Sequence, residues 1–334
     1  MKANKYITLL FASAALFAAC EEGDALQGGT VTAEQKSEVA QENPAKLSSD
    51  MNALKDNLIQ FGTISTSTST NHLDFGFPAL CLMFDQAGQD MVSENHGYNW
   101  LSNQLMLQDR VKTSTYNNFI WKLHFQHIKS ANDILKTLVS DEEPQGQIAN
   151  YIGQALASRA FDYLQLVQAY QLTYLGHEEE LAVPNVKEAT SGEEAKNKPL
   201  ATVNDVYKPI MCDLDTAIPY LENNPVDGDK AQINAAVAYG LRARANMLMG
   251  EYANAATDAG KALELSGATP YSIEEVSVPS FNNVANSWIW GSIITTNNDV
   301  VQTGIINWPS HLCSMTGNGY TTGIGMNVVH KRIN

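Results

Sequence analysis

The 334-residue sequence has few cysteines, few basic residues and no more than one long run of mostly apolar residues. Its 4 cysteines include no Cys-x-x-Cys pair, which argues against a structural zinc site or a redox motif. Lysine and arginine total 21 against 36 acidic residues, so the formal charge is −15. Because an acidic chain repels phosphate backbones, we expect no nucleic-acid partner.

Motifs for a metal or a cofactor are also lacking. The glycines of 317–325 do not fit G-x-G-x-x-G, and no helical pattern follows them, so no dinucleotide site is expected. His124 and His127 lack a third ligand and are predicted to be packing or surface residues of a helix. The acidic run after His177 is predicted to be a solvated loop. We therefore expect no cofactor and no bound metal.

The N-terminus has the order of an export signal. Lys2 and Lys5 precede an almost wholly apolar run from Ile7 to Ala19. This run is shorter than the roughly 20 residues that span a bilayer. It is therefore predicted to be a removable signal peptide, residues 1–19.

The residues after this run resemble a bacterial lipoprotein box that ends at Cys20, which would be acylated and become the first mature residue. The acids that follow, Glu21, Glu22 and Asp24, resemble the tag that sends Bacteroidetes lipoproteins to the outer face of the outer membrane. A plain secretory signal and a merely solvated acidic tether are the alternatives. Several acyl chains would give stable anchoring, and the polar segment 20–31 would be a flexible tether.

Periodic apolar residues predict a mainly α protein with a capping box at Thr32 and Gln35. Helices are expected near 32–61 and over 115–139, 146–171, 202–221, 233–249 and 251–266, the second and third of these forming an antiparallel hairpin. Thr202 and Asp205 have capping-box spacing, whereas Pro209 and Pro219 argue against a straight helix after them. Residues 72–112 are interpreted as a structured loop region, and the three cysteines outside the signal as free buried thiols.

The helices over 233–266 show the sharpest repeat signal. Gly250, Glu251 and Tyr252, followed by alanines at 255, 259 and 262, are similar to the second half of a tetratricopeptide repeat. With the preceding helix pairs, this makes a short solenoid plausible. Beyond 266 the sequence favours short strands and long loops; Trp288 and Trp290 would share a core face if they lie on a strand.

Four helical blocks resemble the SusD/RagB family of outer-membrane lipoproteins. They lie around Trp121 to Leu135, Arg159 to Tyr170, Tyr207 to Ile218 and Ala238 to Ala256. The resemblance implies a helical domain over 32–266 with tetratricopeptide-like helix pairs. Because family members are usually much longer, the loop and strand region 267–334 is predicted to be incomplete.

The resemblance also implies a function in nutrient capture. Such a protein would bind glycan, peptide or another nutrient outside the cell and serve as a lid on a SusC-like TonB-dependent transporter, without being an enzyme. A surface glycoside hydrolase and a helical-repeat scaffold for proteins are the alternatives, since one sequence does not locate a carboxylate pair.

Sugar binding needs flat apolar faces flanked by amide, carboxylate or guanidinium groups. Two loop regions hold that mixture. The first candidate cluster is Tyr98, Asn99 and Trp100 with Arg110, and the second is Trp308 with Tyr320. Trp121, on an amphipathic helix, is predicted to be structural.

Overall fold

The computed structural model describes residues 32–59, 76–88, 91–92, 107, 110–138, 140, 143–226, 229–276, 286–292 and 329–330. The helices are α1 (Ala33–Glu42), α2 (Ser48–Asp56), α3 (Phe77–Ala87), α4 (Thr115–Leu138), α5 (Gly146–Tyr170), α6 (Gly192–Lys196), α7 (Val203–Asn223), α8 (Ala235–Leu248), α9 (Tyr252–Ser266) and α10 (Ile273–Val276), with a 3₁₀ turn at Pro44–Leu47. Strands β1 (Met91–Val92) and β2 (Val329–His330) pair antiparallel. The mainly α prediction is confirmed.

The first helix begins at the predicted capping box. The Thr32 hydroxyl accepts from the Gln35 backbone N–H at 3.2 Å, and the Gln35 side chain accepts from the Thr32 N–H at 3.1 Å. Ser37 and Gln41 then donate to the carbonyls of Thr137 and Leu138. The last carbonyls of a helix have no hydrogen-bond partner within that helix. Ser37 and Gln41 supply donors to two such carbonyls, so α1 caps the C-terminus of α4.

Helices α4 and α5 form the predicted antiparallel hairpin, and their bounds differ from the predicted ones by one residue at the C-terminal ends. The start of α4 lies beside the end of α5, where the Tyr170 hydroxyl donates to the Asn117 carbonyl at 2.5 Å. Further along, Arg159 donates to Asn132. Nearly every residue of α5 between 149 and 167 is buried. Helix α5 is therefore the central helix of the bundle.

Helix α7 continues through Pro209 and Pro219, the two prolines that argue against a straight helix. Proline has no N–H, so Pro209 leaves the carbonyl four residues earlier, that of Asp205, without its helical donor. The Asn185 side chain supplies a replacement donor to this carbonyl at 2.8 Å. At the start of α7, Thr202 accepts from the Asp205 N–H, but the Asp205 carboxylate bonds Lys208, so only half of a capping box forms.

Helices α8 and α9 form the predicted pair across Gly250, whose φ of +83° lies in the left-handed region that favours glycine. Arg242 on α8 joins three helices, since it binds Asp258 on α9 at 2.7 and 2.9 Å and Asp215 on α7 at 2.8 Å. Asn246 donates to the same Asp258 carboxylate. Each of the helices α5, α7, α8 and α9 packs against the next in that order.

Three expectations are corrected. Residues 77–87, assigned to the loop region 72–112, form α3, in which Leu80 and Met83 are buried. The free thiols of Cys81 and Cys212 are exposed rather than buried. Trp288 lies in irregular chain and Trp290 in a bend, so neither is on a strand, yet Trp290 does pack on the core, edge-on to Phe161 at 5.2 Å. Within the described part, no helix is long and apolar enough to cross a membrane.

Candidate functional site

The structure describes one of the predicted sugar-binding residues. Arg110 is exposed and lies just before α4, at the end of the bundle where α4 begins and α5 ends. The other members of the two clusters fall outside the described residues, as does the lipidation candidate; they are Tyr98, Asn99, Trp100, Trp308, Tyr320 and Cys20. Their roles remain predictions.

A group of aromatic rings supports the same end of the bundle. The Trp121 ring lies 4.6 Å from Phe125 and 5.3 Å, edge-on, from Tyr170. All three are partly buried and pack against the core. Burial raises the pKa of Tyr170, which keeps its hydroxyl protonated as the donor to Asn117. Trp121 is thus a packing residue of the scaffold, in agreement with the prediction.

A complete ionic network, not anticipated from the sequence, lies between α4, α5, α7 and the segment 182–190. Arg159 is buried and binds both oxygens of Asp213 at 2.8 Å, the Asn132 side-chain oxygen at 2.7 Å and the Glu188 carboxylate. Burial raises the pKa of Asp213, and the Arg159 guanidinium opposes that rise. Burial would also raise the pKa of Glu188, but the hydrogen bond from Arg159 leaves it lowered.

The same network holds the 182–190 segment against the bundle. The Val186 carbonyl accepts from Asn132 at 3.2 Å and from the Tyr163 hydroxyl at 3.0 Å, and the Val186 N–H donates to that hydroxyl at 2.7 Å. Every polar group of Arg159 and Tyr163 therefore has a partner. A network whose buried members bind one another acts as a structural support.

His124 and His127 are buried and share one carboxylate, so they are packing residues and not surface ones. Asp162 on α5 accepts from Nδ1 of His124 at 2.8 Å and from Nδ1 of His127 at 2.6 Å. Nε2 of His127 lies 2.6 Å from the Leu54 carbonyl. Because both partners of His127 are acceptors, both of its nitrogens carry protons and the ring is an imidazolium.

His124 differs from its neighbour, since its Nε2 atom is buried without a hydrogen-bond partner in the described structure. The ring lies 6.2 Å from both Phe77 and Phe161. Across the described residues, no group of three or more His, Cys, Asp or Glu side chains could hold a metal ion. The acidic loop after His177 is open to solvent, and His177 itself bonds Thr173.

The same scaffold is found in proteins of known family. Residues 37–247 match the model of a SusD-like family described as starch-binding and associating with the outer membrane. That range is more than half of the chain. The chain belongs to the SusD-like family. The family resemblance drawn from its four helical blocks is thereby confirmed.

Solved SusD-like structures share the fold of this chain. They include a SusD-like carbohydrate binding protein from Bacteroides vulgatus (22% identity, TM-score 0.68, 85% of this chain and 56% of that one). A SusD superfamily protein from Bacteroides fragilis has 24% identity, a TM-score of 0.51 and coverage of 69% and 50%. One from Bacteroides thetaiotaomicron has 17% identity, a TM-score of 0.51 and coverage of 70% and 49%.

Two further findings limit what these comparisons show. No curated protein matches the chain. The SusD-like chain spans about half the length of the solved structures that it resembles. At these identities the likeness concerns the fold, and it identifies the described bundle as the tetratricopeptide-like helical part of the family's architecture.

Proposed function

We propose that this SusD-like chain is a lipid-anchored protein of the outer membrane that binds glycan, or another oligomeric nutrient, without transforming it. The observation that carries the proposal is the match of residues 37–247 to a family described as starch-binding. The similarity in fold to a protein named for carbohydrate binding supports it. Delivery of the bound nutrient to a SusC-like TonB-dependent transporter is part of the proposal.

The ligand site that we propose combines Tyr98, Asn99 and Trp100 with Arg110, and Trp308 with Tyr320 is its second candidate cluster. Arg110 supports the first cluster, because its exposed guanidinium offers several donors to sugar hydroxyls at one end of a rigid bundle. A binding site is better defined when packed helices, such as α4 and α5, fix the position of the loops.

The test is retention of the purified chain in gels that contain soluble starch or another neutral polysaccharide. We expect the wild type to be retarded and Trp100→Ala to lose most of that retardation. The indole ring of Trp100 would stack on the apolar face of a sugar, and alanine has no ring that could do so. The matched control is Tyr252→Ala, because Tyr252 is an aromatic residue that is 65% exposed and lies outside both clusters.

Three outcomes would contradict the proposal. If no glycan or peptide binds, the chain is better described as a protein-binding scaffold. If shortened products accumulate, it is a hydrolase. If Tyr252→Ala weakens retardation as much as Trp100→Ala does, the site lies elsewhere.

The anchor is tested separately, in cells fed a labelled fatty acid. We expect label in the wild type and none in Cys20→Ser, which should also leave the membrane fraction.

Surface exposure is tested by adding a protease to intact cells: the wild type should be cleaved, whereas an inward-facing protein would be protected. Co-purification of a transporter with the wild type, in detergent, tests the partner.

A further inference from the structure

Helix α3 meets the bundle through its first residue. Phe77 packs against the main hydrophobic core, whereas Leu80 and Met83, though buried, lie outside the described core cluster. The Phe77 backbone N–H donates to the Leu58 carbonyl at 2.7 Å, and its ring lies edge-on to Phe161 of α5 at 5.2 Å. The attachment of α3 to the bundle therefore depends on the surroundings of the Phe77 ring.

The chain just before Phe77 is held closely against the chain that follows α2. Gly76 has a φ of +76°, and a Cβ atom at this position would collide with the Leu58 carbonyl oxygen. Only glycine allows so close an approach in this left-handed conformation. The next residue, Phe77, is thereby placed beside the bundle.

His124 lies beside the Phe77 ring, on α4. The two ring centroids are 6.2 Å apart, and Phe161 lies at the same distance from His124. The Nδ1 atom of His124 is 2.8 Å from Asp162, and its Nε2 atom is buried without a hydrogen-bond partner in the described structure. These surroundings suit a neutral ring with its proton on Nδ1, since Nε2 then carries only a lone pair.

The charges around His124 are balanced while its ring is neutral. Asp162 of α5 carries one negative charge, and His127, one turn along α4, carries the compensating positive charge. The aromatic neighbours from α3 and α5 bring no charge. On the side of α2, Lys55 lines a small cavity together with His127 and is paired with Asp229. Within this described cluster, no carboxylate is left to balance a second positive charge.

A second proton on His124 removes that balance. The new N–H donor at Nε2 meets two phenyl rings and no acceptor, and two positively charged rings then share one carboxylate. A buried charged donor without an acceptor is costly. Phe161 belongs to the central helix α5, whereas Phe77 is the first residue of a helix with little other attachment to the core. Movement of Phe77 is therefore the smaller change that lets water reach Nε2.

We propose that His124 and Phe77 form an acid-sensitive contact: when His124 gains its second proton, Phe77 leaves the imidazole ring and α3 detaches from α4 and α5. The rest of the bundle stays folded. The His127 imidazolium is not disturbed by acid, because both of its nitrogens already have acceptors. The contact is separate from the proposed ligand site and does not rest on the function proposed above.

The experiment is hydrogen–deuterium exchange of the full chain, followed by mass spectrometry, on either side of the ordinary pKa of imidazole, about 6.5. Protection is corrected for the chemical effect of pH on exchange. On the acid side we expect peptides from α3 to lose protection about tenfold, as one unpaired buried donor predicts, while peptides from α5 stay protected. The ¹⁵N shifts of the His124 ring should report its second proton over the same range.

The matched variant is His124→Asn, because the amide keeps a donor for Asp162 in the place of Nδ1 but takes up no second proton. In this variant α3 should keep its protection on both sides of the range. Phe77→Ala removes the contact itself and should leave α3 poorly protected throughout. The control His177→Asn replaces a histidine that bonds Thr173 outside the cluster, and it should behave like the wild type.

The proposal is overturned if α3 of the wild type is equally protected in acid and at neutral pH, or if His124→Asn loses protection as the wild type does. It is also overturned if His124 gains its second proton while α3 stays protected. Loss of protection in α3 and α5 together would show unfolding of the whole bundle and would contradict a local contact.

Discussion

Two buried ionic clusters pack against the central helix α5, and they differ in completeness. Around Arg159, each nitrogen of the guanidinium has an acceptor, and the cluster joins α4, α5, α7 and the 182–190 segment. Around Asp162, one histidine has partners on both nitrogens, whereas Nε2 of His124 has none within the described structure.

The two clusters also contribute differently to the stability of the fold. The Arg159 cluster holds the irregular 182–190 segment in place. Arg159 binds the Glu188 carboxylate, and Asn132 donates to the Val186 carbonyl. The Asp162 cluster joins elements that also share an apolar core, with the Leu54 carbonyl of α2 bound by His127. Buried networks stabilise one arrangement when every member is satisfied, and an unsatisfied member reduces the gain. We therefore expect the Arg159 cluster to be the more costly to break.

The largest expected effect follows from Arg159→Met. Methionine retains an unbranched apolar stem but leaves the Asp213 carboxylate buried without the guanidinium of Arg159. Removing one partner of a buried ion pair costs about 3 to 5 kcal/mol. We expect the free energy of unfolding, measured by urea titration, to fall by that amount.

The matched control for this variant is the double replacement Arg159→Met with Asp213→Leu. An apolar pair of similar volume leaves no buried charge from these two positions, so most of the lost stability should return. If the double variant is no more stable than Arg159→Met, the cluster contributes through packing and not through its charges.

A smaller effect is expected from Asp162→Asn. The amide keeps the shape of the carboxylate but removes the charge that compensates the His127 imidazolium. The loss of a charged hydrogen-bond partner in the interior costs about 2 kcal/mol. His127 should also lose a proton at neutral pH, which ¹⁵N shifts of the ring report; a doubly protonated ring in the variant would contradict the assignment.

The regular part of the fold was predictable because its information is local. Helices α4 and α5 carry apolar residues at helical spacing, which gave their bounds to within one residue. Helix α3 was not predicted because the residues from Phe77 to Met83 are all apolar. Polar and apolar residues do not alternate there with the period of a helix. The exposed thiols of Cys81 and Cys212 show that residue type alone does not fix burial.

The clusters were less predictable because their partners are distant in sequence. Arg159 and Asp213 each stand among apolar residues of a helix, which signals that a charge is buried. Which opposite charge it meets depends on how α5 packs against α7, and periodicity does not specify that. The proposed sugar-binding residues had a different kind of signal, the composition of two loop regions. All of them, including Arg110, stay predictions, and Arg110 alone among them lies within the described residues.

The pH dependence of stability distinguishes the clusters further. Burial alone would lower the pKa of His127, but the charge and hydrogen bond of Asp162 and the Leu54 carbonyl raise it. The folded chain thus holds this proton more tightly than the unfolded chain does. The resulting stability is complete below the unfolded pKa, about 6.5, and is lost as pH rises through the folded-state pKa.

This expectation is checked by urea titrations of the wild type and His127→Gln across that range. The difference between their free energies of unfolding should shrink with rising pH, by about 1.4 kcal/mol for each pH unit between the two pKa values. A difference that is constant, or that grows with pH, would show that His127 is not held as an imidazolium.

The smallest effect is expected on the outer face of α4, where Lys129 and Asp133 form an ion pair at 2.5 Å. Their side chains are 74% and 56% exposed, so water and salt screen the charges. Lys129→Met should change the free energy of unfolding by less than about 0.5 kcal/mol. The distance in this ion pair is shorter than the 2.8 Å between His124, on the same helix α4, and Asp162 on α5. If Lys129→Met nevertheless destabilised the chain as much as Asp162→Asn, burial would not be what ranks these clusters.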